Sequence, residues 1–299
     1  MKINEVPVAV VVFNREDLAR KMLERLEQIR PKKLFVISDG PRSHVEGEAQ
    51  KVEKVRELFE HIFWDCDVQR CYAEENMGCD RRIPTGLDWV FEQVEEAIVL
   101  EDDCLPTVDF FRYAVELLDY YRYEERVMMI AGSNQMTKYQ MPYSFCFTAR
   151  VYNWGWATWR RAWRKFDGSQ EQWEQIQRDG TLTRIYSEKN TQYLKREFNH
   201  YFSQGLCPWD YRWWISCLSQ EGLCAVPKVN LISNEGFGAD ATHTHDKGDY
   251  KGETATLTFP LQYPPIVERD CRFDQYDRDL NPPSVVEKAF RKMKGMLIK

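Results

Sequence analysis

The sequence lacks the features of membrane-spanning, disulfide-stabilised and zinc-binding proteins. No apolar run approaches the roughly 20 residues that a transmembrane helix needs. The nine cysteines are odd in number and form no Cys-x-x-Cys pair, which argues against a disulfide framework and a zinc site. The first apolar run begins by Val8 and leaves no room for a signal peptide. We therefore expect a cytoplasmic protein with reduced, mostly buried thiols.

The glycine-rich motifs that bind phosphates are also absent. No Gly-x-Gly-x-x-Gly follows the first apolar run, and no Gly-Lys-Ser/Thr sequence occurs anywhere. These absences weigh against a dinucleotide-dependent oxidoreductase and a P-loop phosphotransferase. The net charge is −6 and there is no Lys/Arg stripe, so we expect no nucleic-acid partner.

The first 130 residues alternate short apolar runs with amphipathic segments of helical spacing. Such runs are typical of strands that are buried on both faces of a parallel sheet. The predicted strands cover residues 8–13, 34–37, 68–72, 97–100 and 127–130. Because strands and helices alternate, we predict an α/β fold with a Rossmann-like, mostly parallel sheet and helices on both faces.

The second part of the chain is rich in tryptophan. Eight of the ten tryptophans lie between Trp154 and Trp214. Tryptophans mostly fill cores, although indole faces also stack on sugar rings. We expect some of Trp154, Trp156 and Trp159 in the core and one or two in a binding cleft. The patterns further predict a polar helical region at 170–202, a helix to Leu218 and a strand at 226–232.

Three acids follow the predicted strand at 97–100 directly. In a doubly wound sheet, ligands bind beyond the carboxyl ends of the strands. Glu101, Asp102 and Asp103 would repel one another there unless a cation or a donor-rich ligand compensated them. Carboxylates favour Mn²⁺ or Mg²⁺, with the remaining positions filled by phosphates and water. The alternative is that the acids open a loop and that one caps the helix beginning near Val108.

The motif resembles one found in a known enzyme family. Glu101-Asp102-Asp103 after an apolar strand, followed by Val108-Asp109-Phe110-Phe111, resembles the acidic motif of GT-A fold glycosyltransferases. The likeness is greatest to the inverting N-acetylglucosaminyltransferase I family and covers roughly the first 130 residues, with weaker similarity to about residue 245. The resemblance implies a metal-dependent enzyme that moves a sugar from a UDP-sugar donor to a glycan or lipid-linked saccharide acceptor.

The resemblance also implies roles for single residues. Asp103 would be the direct metal ligand, Asp102 would lie against the ribose or a metal-bound water, and Glu101 would face the donor sugar. Asn14 and Arg15, after the first strand, would meet the nucleotide. The alternative for Asn14 is a helix cap.

Two further residues are candidates for binding the donor. Asp39, at the end of the second strand, would accept from the base N–H of a uracil, and its alternative is an ordinary turn residue. Arg82 lies beyond the turn after the third strand, within reach of a diphosphate. The alternative for the Arg81-Arg82 pair is simple solvation.

An inverting transfer needs a general base for the acceptor hydroxyl. Asp210 is our candidate because neighbouring aromatic residues would desolvate it and raise its pKa. The resembling family carries its base in a Trp-Asp-Asp-Trp segment, whereas this chain has Trp-Asp-Tyr-Arg-Trp, one acid fewer. The alternative, which is compatible with the first, is that Asp210 caps the helix that follows.

A late histidine completes the metal or diphosphate site in many GT-A enzymes. Ala241-Thr242-His243 resembles that region, so His243 is our candidate second metal ligand, with His245 two residues further on. An ordinary surface histidine is the alternative for both.

We accordingly divide the chain into three parts. Residues 1–135 form the nucleotide-sugar-binding half, 136–283 the acceptor-binding and catalytic half of the same domain, and 284–299 a basic C-terminal helix. That helix either rests peripherally on an anionic membrane or is simply solvated. Two rival functions remain open: a nucleotidyltransferase that makes the activated sugar, and a glycan-binding protein without catalysis.

Overall fold

The computed structural model describes residues 2–205, 207–236 and 252–276. The strands are β1 (Val8–Val12), β2 (Lys33–Ser38), β3 (Asp67–Tyr72), β4 (Glu96–Glu101), β5 (Cys104–Pro106), β6 (Val127–Ala131), β7 (Phe145–Thr148), β8 (Trp156–Trp159), β9 (Leu223–Pro227) and β10 (Ile232–Asn234). The helices are α1 (Glu16–Ile29), α2 (Glu48–Leu58), α3 (Cys79–Phe91), α4 (Val108–Tyr120), α5 (Arg160–Trp163), α6 (Gln170–Arg178), α7 (Thr181–Ile185), α8 (Glu188–Ser203), α9 (Trp209–Ser219) and α10 (Cys271–Tyr276). The predicted basic helix at 284–299 lies outside the described residues.

Eight strands form one mixed sheet in the order β3-β2-β1-β4-β8-β6-β9-β7. Strands β3, β2, β1 and β4 run parallel, as does the pair β6 and β9, while β8 runs antiparallel to both of its neighbours. The short strands β5 and β10 pair antiparallel beside this sheet. The predicted α/β fold is confirmed. Because β3, β2, β1 and β4 are parallel, their carboxyl ends lie at the same edge of the sheet.

Both faces of the sheet are covered by helices. In β1, Val8, Val10 and Val12 belong to the core shared with α1 and α4, whereas Ala9 belongs to the core shared with α3 and α9. A strand that is buried on both faces has no solvent side and therefore needs no alternation of polar and apolar residues. This is why β1, β2 and β4 appear in the sequence as largely apolar runs, whereas the edge strand β3, which is only partly buried, does not.

Two predicted segments differ from the structure. The polar helical region at 170–202 consists of three helices, because Gly180 adopts φ 75° and Ser187 starts a new helix by capping it through the N–H of Asn190. The strand predicted at 226–232 is wrong. Strand β9 ends at Pro227, which has no N–H to donate to a ladder, and β10 begins only at Ile232.

The tryptophans fill the interior. Trp156 and Trp159 are buried, as predicted, and Trp154 is partly buried. The ring of Trp156 lies about equally far from the rings of Trp209 and Trp213, with centroid distances of 6.1 and 6.0 Å. Because β8 pairs with β4, this aromatic cluster ties α9 to the strand that carries the acids. Within the described parts of the chain, no helix has the length and apolarity needed to span a membrane.

Candidate active site at the acidic sheet edge

The three acids lie where β4 leaves the sheet. Glu101 is the last residue of β4 and is level with Val11 of β1, and the N–H of Asp102 donates to the carbonyl of Val11 at 3.0 Å. The side chain of Asp102 is 2% exposed, whereas that of Asp103 is 17% exposed. The helix that follows is capped by Thr107, whose hydroxyl accepts from the N–H of Phe110. The alternative role of the acids as a helix cap is therefore wrong.

Arg15 lies against two of the acids. Its guanidinium forms ion pairs with both Asp102 and Asp103, the second with an Nη1–Oδ2 distance of 2.9 Å. Arg15 is the N-cap residue of α1 and follows β1, whose neighbour in the sheet is β4. The expected compensating cation is thus partly supplied by the chain itself. Arg15 was predicted at the nucleotide, and the structure places it on the acids.

A single guanidinium does not neutralise the group. Burial and the charges of Asp103, Asp102 and Asp210 hold the pKa of Glu101 well above its ordinary value. Burial also raises the pKa of Asp102 to about 6, against the opposing effect of Arg15. Burial and mutual repulsion thus disfavour the ionised forms of these two carboxyls, and a further cation at the edge would favour them.

Asp103 is the acid best placed to meet such a cation. The chain returns to it at 235–236, where the N–H of Glu235 donates to the Asp103 carbonyl at 2.8 Å. A Cβ on Gly236 would come within 2.3 Å of Asp103 Oδ2, so only glycine leaves that carboxylate oxygen free of a clash. The sequence offered no local sign of this approach.

The donor set suits a hard cation that is held by few protein ligands. Among the described residues, no group of three or more His, Cys, Asp or Glu side chains is arranged to hold a metal ion. Carboxylate oxygens nevertheless match Mn²⁺ and Mg²⁺, which keep water and phosphate in their remaining positions. His243 and His245 lie outside the described residues, so the predicted second ligand stays a prediction.

Asp39 has a structural role. Its Oδ1 accepts from the N–H groups of Gly40 and Met77, and its Oδ2 accepts from the N–H of Gly78 and the side chain of Asn76, all at 2.9–3.1 Å. These four donors use the four lone-pair positions of a carboxylate. The predicted bond to a nucleobase is therefore not favoured, and Asp39 instead fixes the loop between β3 and α3.

Arg82 is likewise engaged inside the fold. It is 5% exposed, and its guanidinium donates to the carbonyls of Ser38 and Cys71 at the ends of β2 and β3. A guanidinium held there is not favourably placed for a diphosphate, and the predicted role of Arg82 stays a prediction. Simple solvation, the alternative that we considered for the Arg81-Arg82 pair, does not hold for Arg82, whereas Arg81 is exposed.

Asn14 belongs to a polar cluster beside the acidic edge. Its side chain donates to Glu48 Oε1 at 2.9 Å, and Glu48 also accepts from the Arg42 N–H and guanidinium. The N-cap of α1 is Arg15, so Asn14 is not the helix cap. The hydrogen bonds from Arg42, and its charge, lower the pKa of Glu48 to about 2.

Replacing Glu48 should destabilise the fold in a pH-dependent way. Because its folded pKa lies below the unfolded one, ionised Glu48 stabilises the protein above about pH 4.5, and this stabilisation disappears as the pH falls through about 2. We expect Glu48→Gln to lower the free energy of unfolding by about 2 kcal/mol at pH 7, since Arg42 is half-exposed and screened. Urea unfolding at pH 7 and 3 should show this difference shrinking. Glu53→Gln, on the exposed face of α2, is the control, and an equal loss in both variants would contradict the assignment.

Asp210 lies in the first turn of α9. The N-cap of this helix is Pro208, so Asp210 is its second residue and the capping alternative is wrong. Asp210 comes close enough to the acidic edge for its charge to raise the pKa of Glu101. The structure therefore brings Glu101, Asp102, Asp103, Arg15 and Asp210 together.

One neighbouring acid was missed in the sequence. Asp80, in the first turn of α3, accepts from the N–H of Trp209 at 3.0 Å. The sequence signal for Asp80 was its position just after the Asn76-Met77-Gly78 turn. This turn follows the third strand, as the acids follow the fourth.

Comparisons with known proteins yield weak structural likenesses. No protein-family model matches the chain, and no curated protein sequence matches it. The mannosyltransferase PcManGT from Pyrobaculum calidifontis, in complex with GDP-Man and Mn²⁺, is similar with a TM-score of 0.34 and 14% identity, over 58% of this chain and 48% of that one. A cytidylyltransferase from Leptospira borgpetersenii has a TM-score of 0.34 and 12% identity, over 55% of this chain and 64% of that one. A UDP-glucose pyrophosphorylase complexed with UDP-glucose has a TM-score of 0.28 and 10% identity, over 49% and 64% of the two chains. The chain thus spans about half to two thirds of the length of these proteins, and likenesses at this level assign no family.

Proposed function

We propose that the protein is a metal-dependent glycosyltransferase that moves a sugar from a UDP-sugar to a glycan hydroxyl with inversion. The observation that carries this proposal is the acidic edge at the carboxyl ends of parallel strands, which Arg15 compensates only in part. Such an edge suits the metal complex of a nucleotide diphosphate, since this ligand brings both a cation and further oxygen ligands.

Each residue of the edge has a chemical task in this proposal. Asp103 would hold Mn²⁺ or Mg²⁺, which as a Lewis acid neutralises the diphosphate that leaves. Glu101, whose raised pKa keeps its carboxyl protonated to a higher pH than usual, donates a hydrogen bond to a sugar hydroxyl. Arg15 pairs with Asp103 when no donor is bound. In this proposal its guanidinium leaves that carboxylate and pairs with a phosphate oxygen of the donor instead.

Asp210 acts on the acceptor. Its carboxylate takes the proton of the acceptor hydroxyl while the acceptor oxygen forms a bond to the anomeric carbon and the bond from that carbon to the diphosphate breaks. The products are the inverted glycoside, UDP and protonated Asp210.

A panel of nucleotide sugars tests this function without knowledge of the acceptor. We expect UDP-sugars to raise the melting temperature in the presence of Mn²⁺ or Mg²⁺ and to lose this effect in EDTA. A ligand at 100 times its Kd stabilises a protein by about 2.7 kcal/mol, which corresponds to a shift of about 5 °C for a large domain. Equal stabilisation by a sugar nucleotide with and without metal would contradict the proposal.

Arg15 should affect metal and nucleotide in opposite directions. Because its guanidinium competes with a cation for Asp102 and Asp103, Arg15→Ala should bind Mn²⁺ alone about tenfold more tightly. The same variant loses a positive charge at the diphosphate and should bind UDP about tenfold more weakly in saturating Mn²⁺. Calorimetric titration with each ligand measures both effects. Arg20→Ala, on the exposed side of α1, is the control, and two shifts in the same direction would rule out the exchange.

A further inference from the structure

The first turn of α9 is held from outside the helix. The first N–H groups of a helix have no partner within it. The N-cap of α9 is Pro208, which has no side-chain acceptor to offer them. Asp80 Oδ1 accepts the N–H of Trp209 instead, across 129 positions of sequence. A residue of α3 thus supplies the cap that α9 lacks.

This bond acts next to the residue that the proposed function uses as its base. Trp209 directly precedes Asp210, so fixing the N–H of Trp209 fixes the backbone from which the Asp210 side chain extends. We propose that Asp80 is a positioning residue that holds Asp210 in place for the acceptor hydroxyl. The inference rests on the proposed function, because it assumes that Asp210 is the base.

A second contact shows what Asp80 adds. The ring of Trp209 is 5% exposed and stacks on Trp156 at an interplanar angle of 27°, and Trp156 pairs with Val99 of β4. This stacking already ties α9 to the strand that carries Glu101. Trp213 packs against the same Trp156 ring, and the Trp214 indole donates to the Ala149 carbonyl at 2.9 Å, so side chains already fix the body of α9. The bond from Asp80 is made instead to the backbone of the first turn, next to Asp210.

The surroundings of Asp80 argue against an incidental surface contact. Burial raises the pKa of the Cys79 and Cys207 thiols, and smaller contributions come from Asp80 and Glu101 at Cys79 and from Asp210 and Asp80 at Cys207. Asp80 therefore lies near the same acids. A neutral acceptor at this position would form the same bond to Trp209 without the charge. Asp80 consequently has one contribution from its acceptor oxygen and another from its charge, and these can be separated.

Three variants separate positioning from stability. Asp80→Ala removes the acceptor, and Asp80→Asn keeps an acceptor oxygen while removing the charge. Asp88→Ala is the matched control, because Asp88 lies further along α3 and accepts from the Trp163 indole at 2.8 Å, away from the start of α9. Each variant is compared with the wild-type protein for kcat, for the KM of the donor and for amide hydrogen exchange in α9.

We expect Asp80→Ala to lower kcat about 10- to 100-fold with an unchanged donor KM, the loss typical of a catalytic group displaced by about 1 Å. The amides of the first turn of α9 should exchange faster in this variant. Asp80→Asn should restore kcat to within about threefold of the wild type, a residual difference below 1 kcal/mol. Asp88→Ala should leave both the kcat and the exchange at α9 unchanged.

Several results would overturn the inference. Unchanged exchange at α9 in Asp80→Ala would show that the bond does not hold the helix, and equal losses of kcat in Asp80→Ala and Asp88→Ala would show a structural effect only. A kcat in Asp80→Asn as low as in Asp80→Ala would make the charge of Asp80, not its acceptor, the active property. A wild-type protein without any transfer activity overturns the proposed function, and this outcome differs from an active wild type with insensitive variants.

Discussion

Replacing Asp103 by Asn should strongly weaken the metal-dependent binding of the nucleotide. Asp103 is the more exposed of the two acids paired with Arg15, and Gly236 leaves room beside its Oδ2. Asparagine keeps the shape of the side chain but offers a neutral amide in place of an ionised carboxylate, and hard divalent cations bind it much less well. We expect the Kd of UDP in saturating Mn²⁺ to rise at least about 100-fold, which corresponds to about 2.7 kcal/mol. Sugar transfer should fall in parallel.

A control separates this effect from a general loss of negative charge. Asp67 also pairs with a cation, Lys33, but it is the first residue of β3 and lies at the opposite edge of the sheet. Asp67→Asn should bind UDP and Mn²⁺ like the wild type. Calorimetric titration of both variants with UDP, in Mn²⁺ and in EDTA, gives the comparison. Metal-dependent binding that survives in Asp103→Asn would remove Asp103 from the proposed site.

The second large effect is expected at Asp210. General base catalysis typically contributes 10²- to 10⁴-fold to a rate, so Asp210→Asn should lower kcat by roughly that factor. In the proposed function the donor binds at the acids of β4 rather than at α9, and its Kd should therefore change by less than about twofold. Steady-state kinetics with a saturating donor and acceptor, together with titration of UDP, measure the two quantities separately.

Asp210 also lies near the positive end of a helix, and this contribution needs its own control. Glu171 has the equivalent place in α6, as the second residue after the N-cap Ser169. Acids at such positions stabilise a helix by about 0.3–1 kcal/mol. Glu171→Gln should lose this stability without any loss of kcat. A fall of kcat in Asp210→Asn that merely matches the control would show that another group takes the proton.

Four strands of the sheet were predictable because they are largely buried on both faces. Such strands are mostly apolar, and β1, β2, β4 and β6 appear as short apolar runs in the sequence. The insertion of β8 between β4 and β6 was not predictable. Trp156–Trp159 reads equally well as core filling, as a cleft or as a strand, and its antiparallel direction depends on a connection that leaves no local pattern.

The acids of the site were found, but their partners were not. A strand that ends in Glu101, Asp102 and Asp103 is visible in the sequence, because a parallel sheet places strand ends at its ligand-binding edge. The partner of Asp102 is Arg15, 87 positions earlier, and no periodicity connects the two.

Long distances in sequence also explain why the hydrogen bonds of Asp39 and Arg82 within the fold were not predicted. The Asp39 carboxylate accepts hydrogen bonds from the loop around Met77, and the Arg82 guanidinium donates to the carbonyls of Ser38 and Cys71. Whether a charged residue at a strand end faces a ligand or holds two loops together depends on which backbone groups remain unpaired nearby. Those groups are known only once the chain has folded.

The release of UDP from a UDP-sugar tests the central claim most directly. The wild-type protein is incubated with each UDP-sugar and Mn²⁺, and the products are followed by ¹H and ³¹P nuclear magnetic resonance. We predict release of UDP with inversion at the anomeric carbon, its loss on addition of EDTA and in Asp103→Asn, and its recovery when Mn²⁺ is restored. Formation of a nucleotide sugar from a nucleoside triphosphate and a sugar 1-phosphate, with pyrophosphate as the other product, would contradict the account. Binding of a glycan without nucleotide, metal or turnover would contradict it as well.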